Sequence, residues 1–263
     1  MKRTGNWIRK TTYKYLPFET YLWFLSQLYF ITFNLGILKG NRLYEYPYFL
    51  KKIIKKGDIC IDIGANLGYL TILFSKLVGT QGKVYAIEPV KPVLSVLRKN
   101  TKGLKNIEIF PFALGEENKL IRIGNNSIRK KGYVASGSHF VLDKDEIAEI
   151  EFNAEMKKGS ELFKHLEKLD FIKCDIEGHE EVVIPEIEPL LLKFRPILLI
   201  ESRGDSRKNL LNFFKERSYN SFILNKGLLY HAKEDEFWDM LIVPHEKVNL
   251  IEKYIKISTD NNA

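Results

Sequence analysis

With two cysteines among 263 residues, the chain has neither a disulfide framework nor a cysteine cluster for a metal. Cys60 and Cys174 each sit inside an apolar, strand-like run. Both are expected as buried free thiols in a reducing compartment. No internal repeat occurs, and no low-complexity tract apart from the terminal STDNNA. A cleavable signal peptide is not expected, because the basic start MKRTGNWIRKTTYKY lacks the short apolar region and small-residue cleavage site that should follow. The stretch Tyr21–Leu38 passes eighteen residues without a charge and is interrupted by Ser26, Gln27, Thr32, Asn34 and Gly36. A spanning helix needs about 20 predominantly apolar residues, so a membrane span is not expected. The run is aromatic and flanked by Lys14, Lys39 and Arg42. It reads as helix packed on the core or as an interfacial helix, with peripheral membrane contact through residues 16–40. Residues 1–56 are therefore assigned to an N-terminal helical segment, and the expected location is the cytoplasm, free or at a membrane surface.

What is present is ordinary globular material, 45% hydrophobic and 28% charged. The net charge of +8 suits anionic partners such as nucleic acid, phosphosugars or anionic lipid, although lysine-rich usage alone also raises the pI to about 9.2. From residue 57 onward, short Val/Ile/Leu/Phe runs alternate with helical stretches, the pattern of a parallel α/β sheet. The runs DICIDIGA (Asp58–Ala65), KVYAIE (Lys83–Glu88), IEIFPFAL (Ile107–Leu114), LDFIKCDI (Leu169–Ile176) and PILLIES (Pro196–Ser202) predict five strands. Helices are predicted over Tyr69–Val78, VLSVLRKNT, EEVVIPEIEPLLLKF and KNLLNFFKER, and FILN with FWDMLIVP predicts a closing antiparallel pair. Residues 115–168 form a lid-like insertion. LIRIG and IAEIEFNAEM there alternate enough for extra strands, and SIRKKGYVASGSH reads as a mobile loop.

The most informative piece joins the first strand to a helix: Asp62-Ile-Gly64-Ala-Asn66-Leu-Gly68. Glycines let the backbone turn tightly and let a ligand approach where a Cβ would obstruct it. The G-x-G-x-x-G dinucleotide fingerprint fails, because Asn66 and Tyr69 hold its second and third glycine places. A P-loop sequence is also missing. Glu88 ends the second strand, 24 residues after Gly64, close to the ~20-residue offset of a ribose-binding acid. Its carboxylate can accept both hydroxyls of a ribose without a 2′-phosphate. Asp62, an acid at a core strand end, needs a partner, and the amino group of a methionine moiety would serve. Asn66 is expected to brace the turn through its side-chain amide. These features favour S-adenosylmethionine over a nicotinamide.

DIGANLGYLT, IEP and KCDIEGHE, in this order and spacing, resemble the FkbM-type methyltransferases. The resemblance covers about Gly57–Ser202. It implies the class I methyltransferase fold: α/β and Rossmann-like, with a mostly parallel central sheet, helices on both faces and an antiparallel closing strand. It also implies S-adenosylmethionine as cofactor, S-adenosylhomocysteine as product, and methylation of hydroxyl oxygens on sugars or macrocyclic natural products. The family's cofactor positions carry over to Asp62, Gly64, Asn66, Gly68 and Glu88, with their motif neighbours Ala65 and Pro89. Ala113 and Leu114 fall where such enzymes contact adenine, and Asp175 falls beside the methyl donor.

Asp175-Ile-Glu177-Gly178-His179-Glu180 leaves the fourth strand and enters a helix. A hydroxyl acceptor needs a base for its proton, and Asp175, Glu177 and His179 are the catalytic candidates. The same acids could instead cap the helix start, or bind Mg²⁺ through oxygen, although no second acidic cluster clearly completes such a site. His139 reads as a solvated lid residue, and Glu201 as an ion-pair partner of Arg203. A nucleic-acid methyltransferase would share the fold, but its usual N/D-P-P-Y/F turn is replaced here by DIEG. A non-enzymatic cofactor-binding module remains the third alternative. A hydroxyl-bearing carbohydrate or natural product is the expected partner.

Overall fold

A computed structural model describes residues 2–236 and 238–256. The terminal STDNNA and Phe237 of the predicted closing strand lie outside the described residues.

Three helices come first: α1 (Lys2–Tyr15), α2 (Phe18–Asn34) and α3 (Glu45–Leu50). The parallel core follows as β1 (Ile59–Ile63), α4 (Tyr69–Val78), β2 (Lys83–Ile87), α5 (Lys91–Asn100) and β3 (Ile107–Phe110). A second, four-stranded sheet is built from β4 (Phe112–Leu114), β5 (Lys119–Asn125), β6 (His139–Val141) and β7 (Ile150–Lys157), with the short α6 (Ser127–Lys131) between β5 and β6. The chain returns through α7 (Gly159–Leu162) to β8 (Phe171–Cys174), α8 (Glu180–Glu186), α9 (Glu188–Phe194) and β9 (Ile197–Ile200). It ends in α10 (Gly204–Glu216), β10 (Tyr219–Asn225), β11 (Leu228–His231) and β12 (Met240–Pro244).

The main sheet has the order β11-β10-β12-β9-β8-β1-β2-β3. Strands β9, β8, β1, β2 and β3 are parallel, and β12 joins β9 antiparallel. This is the class I methyltransferase fold, with β11 as an added edge. Its strands are nearly all apolar because both faces are covered. Successive residues point to opposite sides. Ile61, Ile172, Leu198 and Ile200 pack under α8–α10, whereas Cys60, Phe171, Ile197 and Leu199 pack against α3 and α4. Cys60 and Cys174 are buried free thiols.

Two expectations need correction. IEIFPFAL is not one strand. Pro111 has no N–H to give to a ladder, so β3 ends at Phe110 and β4 leaves for the second sheet, where it runs parallel to β7. The segment SIRKKGYVASGSH is also not a loose loop. It contains α6 and leads into β6, and Tyr133 and Val134 are buried. Side chains replace the missing ladder: Asn125 Nδ2 donates to Ala135 O at 2.9 Å, Ala135 N to Ser127 Oγ at 2.9 Å, and Tyr21 Oη to Val134 O at 3.2 Å. Such side-chain bonds leave no periodicity in the sequence.

Those contacts tie α2 to the insertion. Tyr21 and Leu22 are fully buried with Leu67 and with Val93 and Val96 of α5. Gln27 Nε2 of α2 donates to Asn100 Oδ1 at 2.9 Å. The N-terminal segment is therefore expected to unfold with the core. Leu22→Ala should cost about 2–5 kcal/mol, the range for a buried leucine, in a single urea transition. A separate early transition that carries the whole loss would contradict this packing.

Candidate functional site

The strand order reverses at β1, whose neighbours are β2 on one side and β8 on the other. In open α/β sheets the crevice at the carboxyl ends of such strands receives the ligand. Two turns meet there.

The first turn follows β1. Gly64 has φ 76°, and a Cβ on it would lie 2.0 Å from Asp175 O, so only glycine fits. Gly64 N and Ala65 N both donate to Ile87 O, at 3.1 and 2.9 Å. Asn66 is left-handed at φ 52°, and its N–H donates to Glu88 Oε2 at 2.9 Å. Val90 N donates to Glu88 Oε1 at 2.9 Å. The buried Glu88 thus braces the turn with one bond per oxygen, and it also lines the cavity. Burial pushes its carboxyl up to about 7.

The bracing role expected of the Asn66 side chain belongs to Glu88 instead. Asn66 Oδ1 is buried without a partner, in a residue that lines the same cavity. Asp62, Ala65 and Gly68 do not line it. Ala65 packs with Ala86, Leu94 and Leu97. Gly68 has φ 89°, begins α4, and is pressed against Leu97. Asp62 is fully buried, accepts from Thr71 Oγ1 at 2.6 Å, and lies 3.7 Å from Lys173 Nζ. Its Oδ2 is thus satisfied internally by Thr71, while its Oδ1 is buried without a hydrogen-bond partner.

Lys173 joins the two turns, a role that its sequence neighbourhood does not reveal. It is buried beside Asp62 in the β1–β8 register. Its ammonium donates to Gly64 O at 2.7 Å and Ile63 O at 3.2 Å, and it lies 3.5 Å from Asp175 Oδ2. Burial disfavours its charge, but Asp175 and Asp62 outweigh that and hold its pKa above the ordinary lysine value.

The second turn follows β8. Glu177 and Gly178 both have positive φ, 55° and 105°. The buried Glu180 holds the turn, accepting from Ile176 N at 2.7 Å and Gly178 N at 3.0 Å. Helix-start duty therefore falls on Glu180. Asp175, Glu177 and His179 all line the cavity. His179 Nε2 is buried and unpartnered, and burial lowers its pKa, which favours the neutral ring. Asp175 stays ionised: burial opposes its charge, but Lys173 and a hydrogen bond from Glu201 hold it below the usual range. Glu201 is raised, by burial and by that bond to Asp175.

The insertion closes the crevice from the opposite side, and here a further expectation changes. His139 is not a solvated loop residue. It lines the cavity, with Nδ1 2.8 Å from Ser136 O and Nε2 buried without a partner. A ring that donates from Nδ1 to that carbonyl presents Nε2 as an acceptor. Pro89, Ala113 and Leu114 also line the cavity. A separate cavity of about 180 Å³ lies beyond Glu177, which borders both, and includes Glu201, Ser202, Arg203 and Ser206. The Ser202 and Ser206 hydroxyls are buried without partners.

Glu201 joins Asp175 and Glu177 in a cluster that could face a cation. Oxygen atoms of Asp175, Glu177 and Glu201 lie within 4.8 Å of one another. The donor set fits a hard cation only in part, because Lys173 already faces Asp175 and Arg203 already pairs with Glu201.

Residues 62–221, more than half of the chain, match the FkbM methyltransferase domain. The chain belongs to that family. Among curated proteins, this FkbM-family chain is 36% identical over 58 residues to protein-L-isoaspartate O-methyltransferase of Methanosarcina mazei, across 21% of the chain and 24% of that protein. The chain spans about a quarter of the length of the curated relatives it matches. The solved FkbM methyltransferase of Methylobacillus flagellatus KT is 18% identical with a TM-score of 0.45, over 70% of this chain and 43% of that one. Aeropyrum pernix fibrillarin, solved with S-adenosyl-L-methionine bound, is 14% identical with a TM-score of 0.42, over 72% of this chain and 67% of that one.

Glu88 gives the FkbM site a pH signature. Its carboxyl titrates at about 7 when folded against 4.5 ordinarily, so the folded state binds the extra proton between those values. Its contribution to stability is greatest below about pH 4.5 and is lost as pH rises through 7. Wild type should therefore lose stability relative to Glu88→Gln across that window in urea titrations. Parallel curves would mean that Glu88 is not held in a desolvated site.

Proposed function

We propose that the chain transfers a methyl group from S-adenosylmethionine to a hydroxyl oxygen of a sugar, in a glycan or a glycosylated natural product. The observation that carries this reading is the cavity beyond Glu177. Its lining side chains are carboxylates, serine hydroxyls and the Arg203 guanidinium, with no aliphatic or aromatic group among them. At about 180 Å³, it has room for about six waters at liquid density. A polyhydroxylated ring matches such walls, because each hydroxyl can donate to a carboxylate and accept from the guanidinium or a serine. A flipped nucleobase would want an apolar or aromatic face to stack on, which argues against a nucleic-acid acceptor. The orphaned Ser202 and Ser206 hydroxyls are unmet capacity of the kind a sugar would fill.

The first cavity suits the cofactor. Glu88 keeps a lone pair on each oxygen for the ribose hydroxyls, Asn66 offers its unpartnered amide oxygen, and Ala113 with Leu114 supplies an apolar wall for adenine. Gly64 and Asp175 line the same cavity. Bound there, the cofactor supplies an electrophilic methyl group on a sulfonium.

The chain's own part is to align the acceptor oxygen, exclude water and take the proton. Glu177 borders both cavities, and burial together with Asp175 raises its pKa to about 7, where a base works best at neutral pH. In this reading a Glu177 carboxylate oxygen accepts the acceptor's hydroxyl proton. Asp175, held ionised by Lys173, keeps Glu177 basic.

Glu177→Gln should lower kcat about 10²–10⁴-fold and leave S-adenosylhomocysteine affinity within about twofold. His179→Ala and His139→Ala should cost less. Full turnover in Glu177→Gln, with collapse in either histidine variant, would move the base to the lid side. Labelled methyl groups should enter sugar acceptors. Incorporation into RNA alone would overturn the acceptor class, and cofactor binding without turnover on any hydroxyl acceptor would favour a non-enzymatic module.

A further inference from the structure

The basic charge of this protein is not spread over the methyltransferase domain. Residues 1–56 hold eleven Lys and Arg against two Asp and Glu, whereas residues 57–263 hold thirty against thirty-one. The entire positive excess therefore lies in the N-terminal helical segment. The site contributes none of it, so the pI carries no information about the acceptor.

The same segment exposes apolar surface. Of the thirteen large hydrophobic side chains exposed among the described residues, six lie in it: Trp7, Tyr15, Ile31, Leu35, Ile37 and Leu43, each between 55 and 72% exposed. Helix α2 explains the pattern. Leu22 and Ser26 on one side are buried toward α5. Phe24, Leu28, Ile31 and Leu35 follow a 4-3-4 spacing, which puts them on one stripe opposite that buried side. A helix this apolar is normally buried on most sides, and here only Tyr21, Leu22 and Ser26 of its seventeen residues are buried. From this stripe, Leu28 also lines a mostly apolar groove of about 270 Å³ with Ile8, Leu25, Leu38 and Tyr44, which Arg9 and Thr32 border.

Arg9, Lys10, Lys14 and Lys39 are exposed, and none pairs with a carboxylate among the described residues. Apolar side chains bordered by unpaired cations are what an anionic lipid surface accepts: acyl boundary for one, phosphate for the other. No helix among the described residues is long and apolar enough to cross a membrane.

From this combination we infer that α1, α2 and the following turn to Leu43 dock the protein on the surface of an anionic bilayer, with Ile31, Leu35 and Ile37 entering the headgroup–acyl boundary. A second copy of the chain would cover the apolar stripe but would set the two basic surfaces against each other, which disfavours it.

The test is flotation of the full chain with vesicles of phosphatidylcholine alone and with 30% phosphatidylglycerol, on the order of physiological salt. Binding should need the anionic lipid. Lys10→Glu/Lys14→Glu/Lys39→Glu should weaken it by on the order of 100-fold, at about 1 kcal/mol per cation. Ile31→Ser/Leu35→Ser should weaken it by at least tenfold, since each side chain gives up its apolar burial. Both variants should keep wild-type S-adenosylhomocysteine affinity, which reports an intact fold and is independent of the acceptor assigned above. Absence of binding to anionic vesicles by the folded wild type would overturn the proposal. So would equal binding to neutral vesicles, an unaltered Ile31→Ser/Leu35→Ser variant, or a concentration-dependent dimer abolished by that same variant.

Discussion

One buried ammonium holds the site together. Lys173 sits next to Asp62 across the β1–β8 pair, donates to the carbonyls of Ile63 and Gly64, and faces Asp175 at the end of its own strand. Both turns that form the crevice are attached to it. Two carboxylates share a single cation, and the balance is uneven. Asp62, fully buried, is pushed up despite Lys173, while Asp175 is held down. The ion pair is directed toward the accessible side of the sheet, where a fixed negative charge bears on Glu177. A buried pair of this kind is weak evidence for stability. Its value here is positional, because it fixes the two carbonyls from which the cofactor turn departs.

Around that cation the backbone adopts conformations that would otherwise be avoided. Asn66 and Glu177, neither of them glycine, both have positive φ, which costs on the order of 1 kcal/mol or more each. Each is held by a glutamate that grips backbone N–H groups: Glu88 across the first turn and Glu180 across the second. The two grips have the same logic and different consequences. Glu88 remains at the cavity wall and keeps capacity for a ligand, whereas Glu180 is consumed in shaping the loop that presents Glu177. The second sheet completes the enclosure and carries His139 to the opposite wall.

Much of this was legible in the sequence, because the parallel core is built from local rules. Helix α4 has the expected bounds, Tyr69–Val78, since an apolar strand, a glycine turn and an amphipathic stretch leave one reading. What escaped was set by contacts distant in sequence. Nothing near Lys173 reveals that Asp62 will lie beside it, and Glu201 reaches Asp175 only after α8, α9 and β9 have been placed. Pro111 was visible, but an apolar run does not say which of two sheets will receive its second half. The segment around Tyr133 reads as loop from composition, yet its order rests on Asn125, Ser127 and Tyr21. Asn66 was correctly singled out as a turn residue, with the wrong atoms: its N–H serves the turn and its side chain is left for the cavity.

The dependence of both turns on Lys173 is best tested by a double-mutant cycle read by urea unfolding. Lys173→Met alone should cost about 3–5 kcal/mol, because it leaves Asp62 as an unpaired buried charge. Adding Asp62→Asn should return a large part of that loss, giving an interaction energy well above the ~0.3–0.5 kcal/mol scatter of independent sites. Costs that simply add, or a Lys173→Met protein as stable as wild type, would contradict the central place given to this ammonium.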